Sequence, residues 1–199
     1  MSRVLILYGT TDGHTRKIAA ALREALRDEG LHAFVTDAKY GAATVVPEDY
    51  DGVIVAASIH GGHFQKPVVC WARVHADRLN RMPTAFLPVC LAILEQRPET
   101  RRALDAIIDR FQLSTGWRPD LIKPAAGALL YTRYNWLKRW IMRRIVAKAG
   151  GDTDTTRDFE YTNWGELRTF ARTFGRNLTN GSFVPVSRSL HEQDTKVKV

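Results

Sequence analysis

Residues 4–8 form a continuous apolar run that stops at Gly9, and the segment after it carries apolar residues at Ile18, Leu22 and Leu26, the spacing of one helix face. A strand, a loop and a helix are therefore predicted in that order, and the alternation repeats. Residues 31–36 read as a short strand, a glycine-containing linker follows, and 52–57 read as a buried strand, 67–79 as a helix and 84–91 as another strand. The stretch 99–111 has helical spacing at Ala103, Ile107, Ile108 and Phe111; residues 121–130 read as a fifth strand interrupted early by Pro124, and 164–174 as a closing helix. Apolar runs without a polar face mean strands covered on both sides, so the predicted architecture is α/β, a parallel sheet wound with helices on both faces. One domain is predicted over residues 1–175. Two stretches exceed its minimal unit: an insertion at about 131–162, after the fifth strand, and a polar tail over 176–199, expected to be flexible.

Composition narrows this picture. The 199 residues are 45% hydrophobic and 25% charged, enough for one domain with a sizeable core and too few for two ordinary ones. Lys and Arg number 29 against 21 Asp and Glu, and the net charge of +8 points toward an anionic partner: phosphate, nucleic acid or a lipid surface. Cys70 and Cys90 sit in apolar segments with no CxxC or Cys/His cluster, which argues against a disulfide scaffold and a structural zinc site and for a reducing compartment. The first apolar run is too short for a signal peptide, and no later run reaches the roughly 18 apolar residues of a membrane span. A cytoplasmic or peripheral location is expected.

Three loops carry candidate chemistry. After the first strand come Gly9, Thr10, Thr11, Asp12, Gly13, His14 and Thr15, leading straight into a helix. Hydroxyls and unpaired N–H groups at a helix N-terminus favour a phosphate. Neither GxGxxG nor GxxxxGK[ST] is present, so a small phosphomonoester fits better than a nucleoside triphosphate; the alternative is that Asp12 or Thr11 simply caps the helix and Gly13 makes the turn. After the third strand come Ser58, Ile59, His60, Gly61, Gly62, His63 and Phe64. In a sheet of order 2-1-3-4-5 this loop and the first flank the point where strand order reverses, where open α/β sheets bind ligands. Glycines there let the backbone approach a flat ring, and His or Phe can stack on it or donate to it; the alternative is an ordinary surface turn. His60 and His63 have no nearby third ligand, so no metal site is assigned. Val89, Cys90 and Leu91 end the fourth strand and would form a third wall, with Cys90 a buried thiol rather than a redox group.

The insertion holds Arg133, Lys138, Arg139, Arg143, Arg144 and Lys148 with no acidic residue over 133–148, interleaved with Tyr134, Trp136, Leu137, Trp140 and Ile141. At helical pitch Trp136, Leu137, Trp140, Ile141 and Ala147 share half of the wheel, although Arg144 and Lys148 intrude on it. Tryptophans with basic residues suit an anionic membrane interface. An ordinary packed helix with a solvated basic face is the alternative, and no recognised nucleic-acid module accompanies the charge.

Taken together, the residues resemble the flavodoxin-like, menaquinone-dependent protoporphyrinogen oxidases of bacterial haem synthesis, over about residues 4–174. The general flavodoxin part is Thr10-x-Asp12-Gly13-x-Thr15. More specific are Ala57-Ser58-Ile59 with Gly62-His63, Arg78-Leu79-Asn80 with Met82-Pro83, and Trp117-Arg118-Pro119-Asp120. The insertion adds Ala126-Gly127-Ala128-Leu129, Tyr131, Arg133-Tyr134 and Trp136, then Gly150-Gly151-Asp152-Thr153-Asp154-Thr155 and Tyr161-Thr162-Asn163-Trp164. Simple flavodoxins lack the long segment after the fifth strand. The resemblance implies a flavodoxin-like five-stranded parallel sheet of order 2-1-3-4-5 with a basic, partly helical insertion, and FMN as cofactor. It also implies oxidation of protoporphyrinogen IX to protoporphyrin IX, with electrons passed through the flavin to menaquinone or another membrane quinone.

Carried onto this chain, residues 10–15 would hold the FMN phosphate, while 58–63 and 89–91 would border the ring. Arg133, Trp136, Lys138, Arg139, Trp140, Arg143 and Arg144 would meet the quinone or the inner face of the cell membrane. The chain departs from the family at Gly9, where a hydroxyl residue is usual, at His60-Gly61, which replace Arg-Tyr, and at Leu130 and Thr132, where Arg and Pro are expected. The first costs a phosphate hydrogen bond and the others bear on substrate or quinone preference. His60 and His63 are candidate proton acceptors because an unperturbed histidine titrates near neutrality. Competing readings are a flavodoxin electron carrier, whose usual acidic face conflicts with +8, an NAD(P)H:quinone reductase distinguished by its donor, and a basic domain without flavin, which leaves the convergence of three loops unexplained.

Overall fold

The computed structural model describes residues 1–95, 97–129, 131–133 and 154–183. Strands β1 (Arg3–Gly9), β2 (His32–Asp37), β3 (Gly52–Ser58) and β4 (Thr84–Cys90) pair in parallel, and the sheet order is β2-β1-β3-β4-β5, with β5 at Leu121–Ile122. The central strands are buried on both faces, and their residues alternate between two cores. Val4, Ile6 and Tyr8 of β1 face Ile18, Leu22 and Phe174, which belong to helices α1 (His14–Asp28) and α6 (Trp164–Thr179). Leu5 and Leu7 face the opposite layer, where Val68 and Trp71 of α3 (Lys66–Val74) and Phe111 of α5 (Pro98–Thr115) pack with Phe86 and Trp117. Each such buried side chain contributes about 1.5–3 kcal/mol, so the two layers hold the carboxyl ends of β1, β3 and β4 in a fixed relation. Between β2 and β3 the expected linker contains α2 (Ala38–Gly41) and two 3-10 turns.

Three expectations from the sequence are corrected. The helix over 67–79 is divided at His75, whose backbone (φ −104°, ψ 12°) leaves helical values, and α4 (Ala76–Leu79) resumes beyond it; the bend puts Ala76 and Leu79 in the same core as Trp117. The strand over 121–130 is three short pieces. β5 and β6 (Ala125–Ala126) both pair with β4, in one register that sets Pro88 opposite Pro124, two residues with no N–H to exchange. The chain then leaves the sheet, and β7 (Ala128–Leu129) pairs antiparallel with β8 (Phe159–Glu160). Finally, the tail does not begin at 176. Helix α6 runs to Thr179, Leu178 and Phe183 pack against the α1 core, and the Arg176 guanidinium donates to Glu29 at 2.7 and 2.9 Å. That pairing holds the Glu29 carboxyl below its ordinary range.

Candidate functional site

The carboxyl ends of β1, β3 and β4 meet at a cleft of about 300 Å³. The loop after β1 contributes Thr10, Asp12, His14 and Thr15, and the loop after β3 contributes Ser58, Ile59, His60 and Gly61; Val89, Cys90, Leu91 and Ala92 form a third side. Thr11, Gly13, Gly62 and His63 stand outside the lining, although each shapes it or borders it.

At one end of the cleft, Gly13 (φ 92°) turns the chain into α1, a conformation that glycine adopts without strain. Among the described residues no side-chain cap hydrogen bond is made at this N-cap. The Thr10 hydroxyl accepts from Gly13 N–H at 2.9 Å and the Thr11 hydroxyl accepts from the Gln65 amide at 3.1 Å, while Asp12 reaches His60 with an oxygen–nitrogen distance of 3.5 Å. The capping alternative is therefore not the arrangement found. Thr15 is 1% exposed, and its hydroxyl has no hydrogen-bond partner among the described residues. Buried hydroxyls are ordinarily paired, so a free one beside the N–H groups of an uncapped helix start is a donor set that fits a phosphate-bearing cofactor.

Gln65 links this end to the rest of the cleft, since its amide nitrogen donates to Ser58 Oγ at 2.7 Å as well as to Thr11. Gly9 makes room for it. A Cβ at position 9 would lie 2.6 Å from Val68 Cγ2 and 2.7 Å from Gln65 Oε1. The departure from a hydroxyl residue at Gly9 thus accompanies a side chain that occupies the space, and nothing local in the sequence marks Gln65 for that place.

Along the cleft, His60 and His63 exchange backbone hydrogen bonds of 2.9 and 3.0 Å around Gly61 (φ 56°) and Gly62 (φ 77°). A two-residue turn with both φ values positive is a hairpin form that favours glycine at these positions. It presents Gly61 and His60 to the cleft and leaves His63 at its far foot. On the third side, burial pushes the Cys90 thiol above the ordinary cysteine range, so this wall carries no thiolate at neutral pH.

A fourth wall was not anticipated. Gly127 and Ala128 complete the lining where the chain leaves the sheet. Gly127 N–H donates to Cys90 O at 3.3 Å, Tyr161 N–H donates to Gly127 O at 3.1 Å, and Leu91 packs against Leu129 and Tyr131, so the stem of the insertion is built onto the cleft. Thr132 helps close that stem, because its N–H and hydroxyl both donate to Asp158 at 2.9 Å; the proline expected there would supply neither donor. The stem also holds His14. Thr162 donates its hydroxyl to Ala126 O at 2.7 Å and lies 2.7 Å from His14 Nε2, which therefore carries the proton of that contact. His14 is 6% exposed, and burial pushes its pKa below the ordinary histidine value.

Of the predicted membrane or quinone contacts, Arg133 ends the 3-10 turn Tyr131–Arg133, and Trp136, Lys138, Arg139, Trp140, Arg143 and Arg144 lie outside the described residues. Leu130 lies outside them too. The motifs at 78–83 and 117–120 are not at the cleft. They meet at the opposite end of the sheet, where Asn80 accepts from Arg118 N–H at 2.8 Å and donates to Gly116 O at 2.9 Å. There Asp120 also accepts from Thr84 N–H at 2.7 Å, and the fully buried Trp117 donates its indole N–H to the Thr84 hydroxyl at 3.3 Å. Their role is to fix the start of β4.

Residues 5–156 match the flavodoxin domain family. Over 171 residues the chain is 37% identical to protoporphyrinogen IX dehydrogenase (quinone) of Escherichia coli strain K12, covering 85% of this chain and 93% of that protein. A protein of the same name from Leishmania major is 36% identical over 173 residues, covering 86% of this chain and 74% of its own. Among solved structures, flavodoxin 1 from Bacillus cereus superposes with a TM-score of 0.54 at 15% identity, covering 88% of this chain and 98% of that one. The rubredoxin oxygen:oxidoreductase of Desulfovibrio gigas gives 0.57 at 16% identity, covering 92% of this chain and 38% of its own. These two likenesses concern the fold.

Proposed function

The chain belongs to the flavodoxin-domain family of protoporphyrinogen IX dehydrogenases (quinone), and from that premise we propose that it binds FMN in the cleft and oxidises protoporphyrinogen IX to protoporphyrin IX, with a quinone as electron acceptor. The flavin, when bound, supplies the redox chemistry, taking electrons from the porphyrinogen and giving them to the quinone. The chain's own residues hold and orient it. The single observation that carries the choice of a phosphate-bearing flavin is the Thr15 hydroxyl, buried without a partner among the described residues at the start of α1, whose N-cap Gly13 offers no side-chain cap. FMN is favoured over FAD because the cleft offers one such cradle and the sequence lacks the dinucleotide fingerprint.

Thr15 and the first N–H groups of α1 would bind the phosphate, and Thr10 keeps the loop in shape by accepting from Gly13. The His60–His63 hairpin and the Val89–Ala92 side would border the ring, with Gly61 allowing close backbone approach. Asp12 and His60 close the gap between the first two loops. His60, which lines the cleft beside Asp12, is a better placed proton acceptor than His63. Among the described residues no helix is long and apolar enough to cross a membrane. An anionic membrane surface at the inner face of the cell membrane as the meeting place is supported by the basic, tryptophan-bearing sequence at 133–148; menaquinone as the acceptor rests on the family resemblance alone.

The cofactor is tested by releasing it from the purified protein and identifying it by chromatography. FMN is expected. FAD, or a colourless protein that FMN does not restore, would overturn the assignment.

A further inference from the structure

His14 is a buried titratable group at the phosphate end of the cleft whose protonation the proposed function does not use. It lines the cleft as the first residue of α1, and its Nε2 is committed to Thr162, whose own proton goes to Ala126 O. Nδ1 is then the acceptor nitrogen of the neutral ring, and it is buried with no hydrogen-bond partner among the described residues. Among the described residues, two charged groups face the ring: Glu160 of β8, whose carboxylate lies 3.9 Å from Nδ1, and Lys17 of the same helix, which is itself paired with Glu160. From α6 the ring meets Trp164, with centroids 5.9 Å apart.

We propose that His14 takes up a proton at Nδ1 when the phosphate of the cofactor enters the start of α1, so that cofactor binding is coupled to protonation of this side chain. This rests on the phosphate-bearing flavin proposed above. The proton comes from solvent and no covalent bond changes. Without the phosphate, burial keeps the ring neutral despite Glu160. A phosphate with a charge between −1.5 and −2 at pH 7, held at the helix start that His14 begins, would add a second anion near the ring besides Glu160, and the two together would favour the imidazolium. The imidazolium in turn favours the phosphate, and its Nε2–H bond to Thr162 keeps the insertion stem fastened to the phosphate-binding helix.

The sign of the linkage follows. Binding takes up a proton, so affinity falls as pH rises across the range in which the bound ring is protonated and the free ring is not. The slope approaches tenfold in Kd per pH unit if about one proton is absorbed. The experiment combines FMN titration calorimetry in buffers of different ionisation enthalpy with ¹⁵N spectra of the His14 ring. Near pH 7 the protein is expected to absorb close to one proton per FMN, and the Nδ1 resonance is expected to move to its protonated position on FMN addition. Saturating riboflavin, which carries the ring system without the phosphate, should leave that resonance in place. His14→Gln should bind FMN with most of the uptake gone and a flatter pH profile. FMN binding without a change at Nδ1, or the same change with riboflavin, overturns the coupling. The ring spectra of the unmutated protein decide the matter even if the variant folds poorly, and failure of FMN to bind at any pH overturns the flavin assignment instead.

Discussion

At the scale of single residues, Thr15 and Gly9 give opposing tests of the same cleft. The Thr15 hydroxyl is buried and has no partner among the described residues, which costs stability in the flavin-free protein; on the proposed function the phosphate would recover it. Thr15→Val should therefore leave thermal stability of the flavin-free protein equal or slightly higher while weakening FMN by about 1.5–3 kcal/mol, the range of a hydrogen bond to a charged group. Flavin fluorescence quenching measures the second and calorimetry the first, and an unchanged Kd would make Thr15 part of the helix and not of the phosphate site. Gly9 acts through space. Because an added Cβ would approach Val68 Cγ2 to 2.6 Å and Gln65 Oε1 to 2.7 Å, Gly9→Ala should destabilise the protein by about 1–3 kcal/mol, as overpacking does. Shortening Gln65 to Ala in the same chain should relieve part of that loss; a fully additive pair would show that Gln65 is not what Gly9 accommodates. The two positions differ in how readable they were. Thr15 stands in a loop whose hydroxyls and glycine announce anion binding, whereas Gln65 reaches Thr11 and Ser58 only because the folded chain brings three distant segments together.

At the scale of elements, the strands announced themselves because β1, β3 and β4 are uninterrupted apolar runs, and in a parallel sheet their carboxyl ends are where loops can converge. The division of the fifth strand was only half legible: Pro124 marks an interruption, but the exit of β7 depends on pairing Ala128 with Glu160, a partner that local pattern does not supply. For the same reason the fourth wall of the cleft, at Gly127 and Ala128, and the His14–Thr162 bond were hidden from a reading along the chain. The polar composition after Arg176 suggested a tail, yet the apolar faces of Leu178 and Phe183 and the Arg176–Glu29 pair extend α6 by a turn. The basic stretch that the β7–β8 stem introduces is testable as a unit. Each basic residue near an anionic leaflet contributes on the order of 1 kcal/mol. Replacing Lys138, Arg139, Arg143 and Arg144 by Gln should reduce cosedimentation with anionic vesicles and slow turnover with membrane-embedded quinone, with FMN content and activity toward a soluble acceptor near normal. If the quadruple variant still binds such vesicles at low salt as the parent does, the segment is not the membrane contact.

At the scale of the whole molecule, a sheet with two packed faces fixes a cleft at one end, where the motif at 57–63 lies, and uses two further specific motifs, at 78–83 and 117–120, to lock the other. A specific motif in this chain therefore marks the cleft in one case and the far end of the sheet in another. Three sides of the cleft come from the loops after β1, β3 and β4, while the fourth comes from the stem of the insertion, so on the proposed function cofactor and insertion would share one boundary. The proposed reaction needs such a shared boundary, because a flavin held by the first three loops would then border the stem of the insertion. The overall charge of +8 fits an anionic meeting surface better than the partners of an acidic electron carrier. The most direct test is an anaerobic rapid-mixing experiment in which FMN-loaded protein meets protoporphyrinogen IX and then a quinone. The expected result is loss of oxidised-flavin absorbance as porphyrin fluorescence appears, followed by recovery of the flavin band on quinone addition. A flavin band that stays oxidised with porphyrinogen, yet is bleached by NADPH under the same conditions, would contradict the assignment and identify a nicotinamide as the donor.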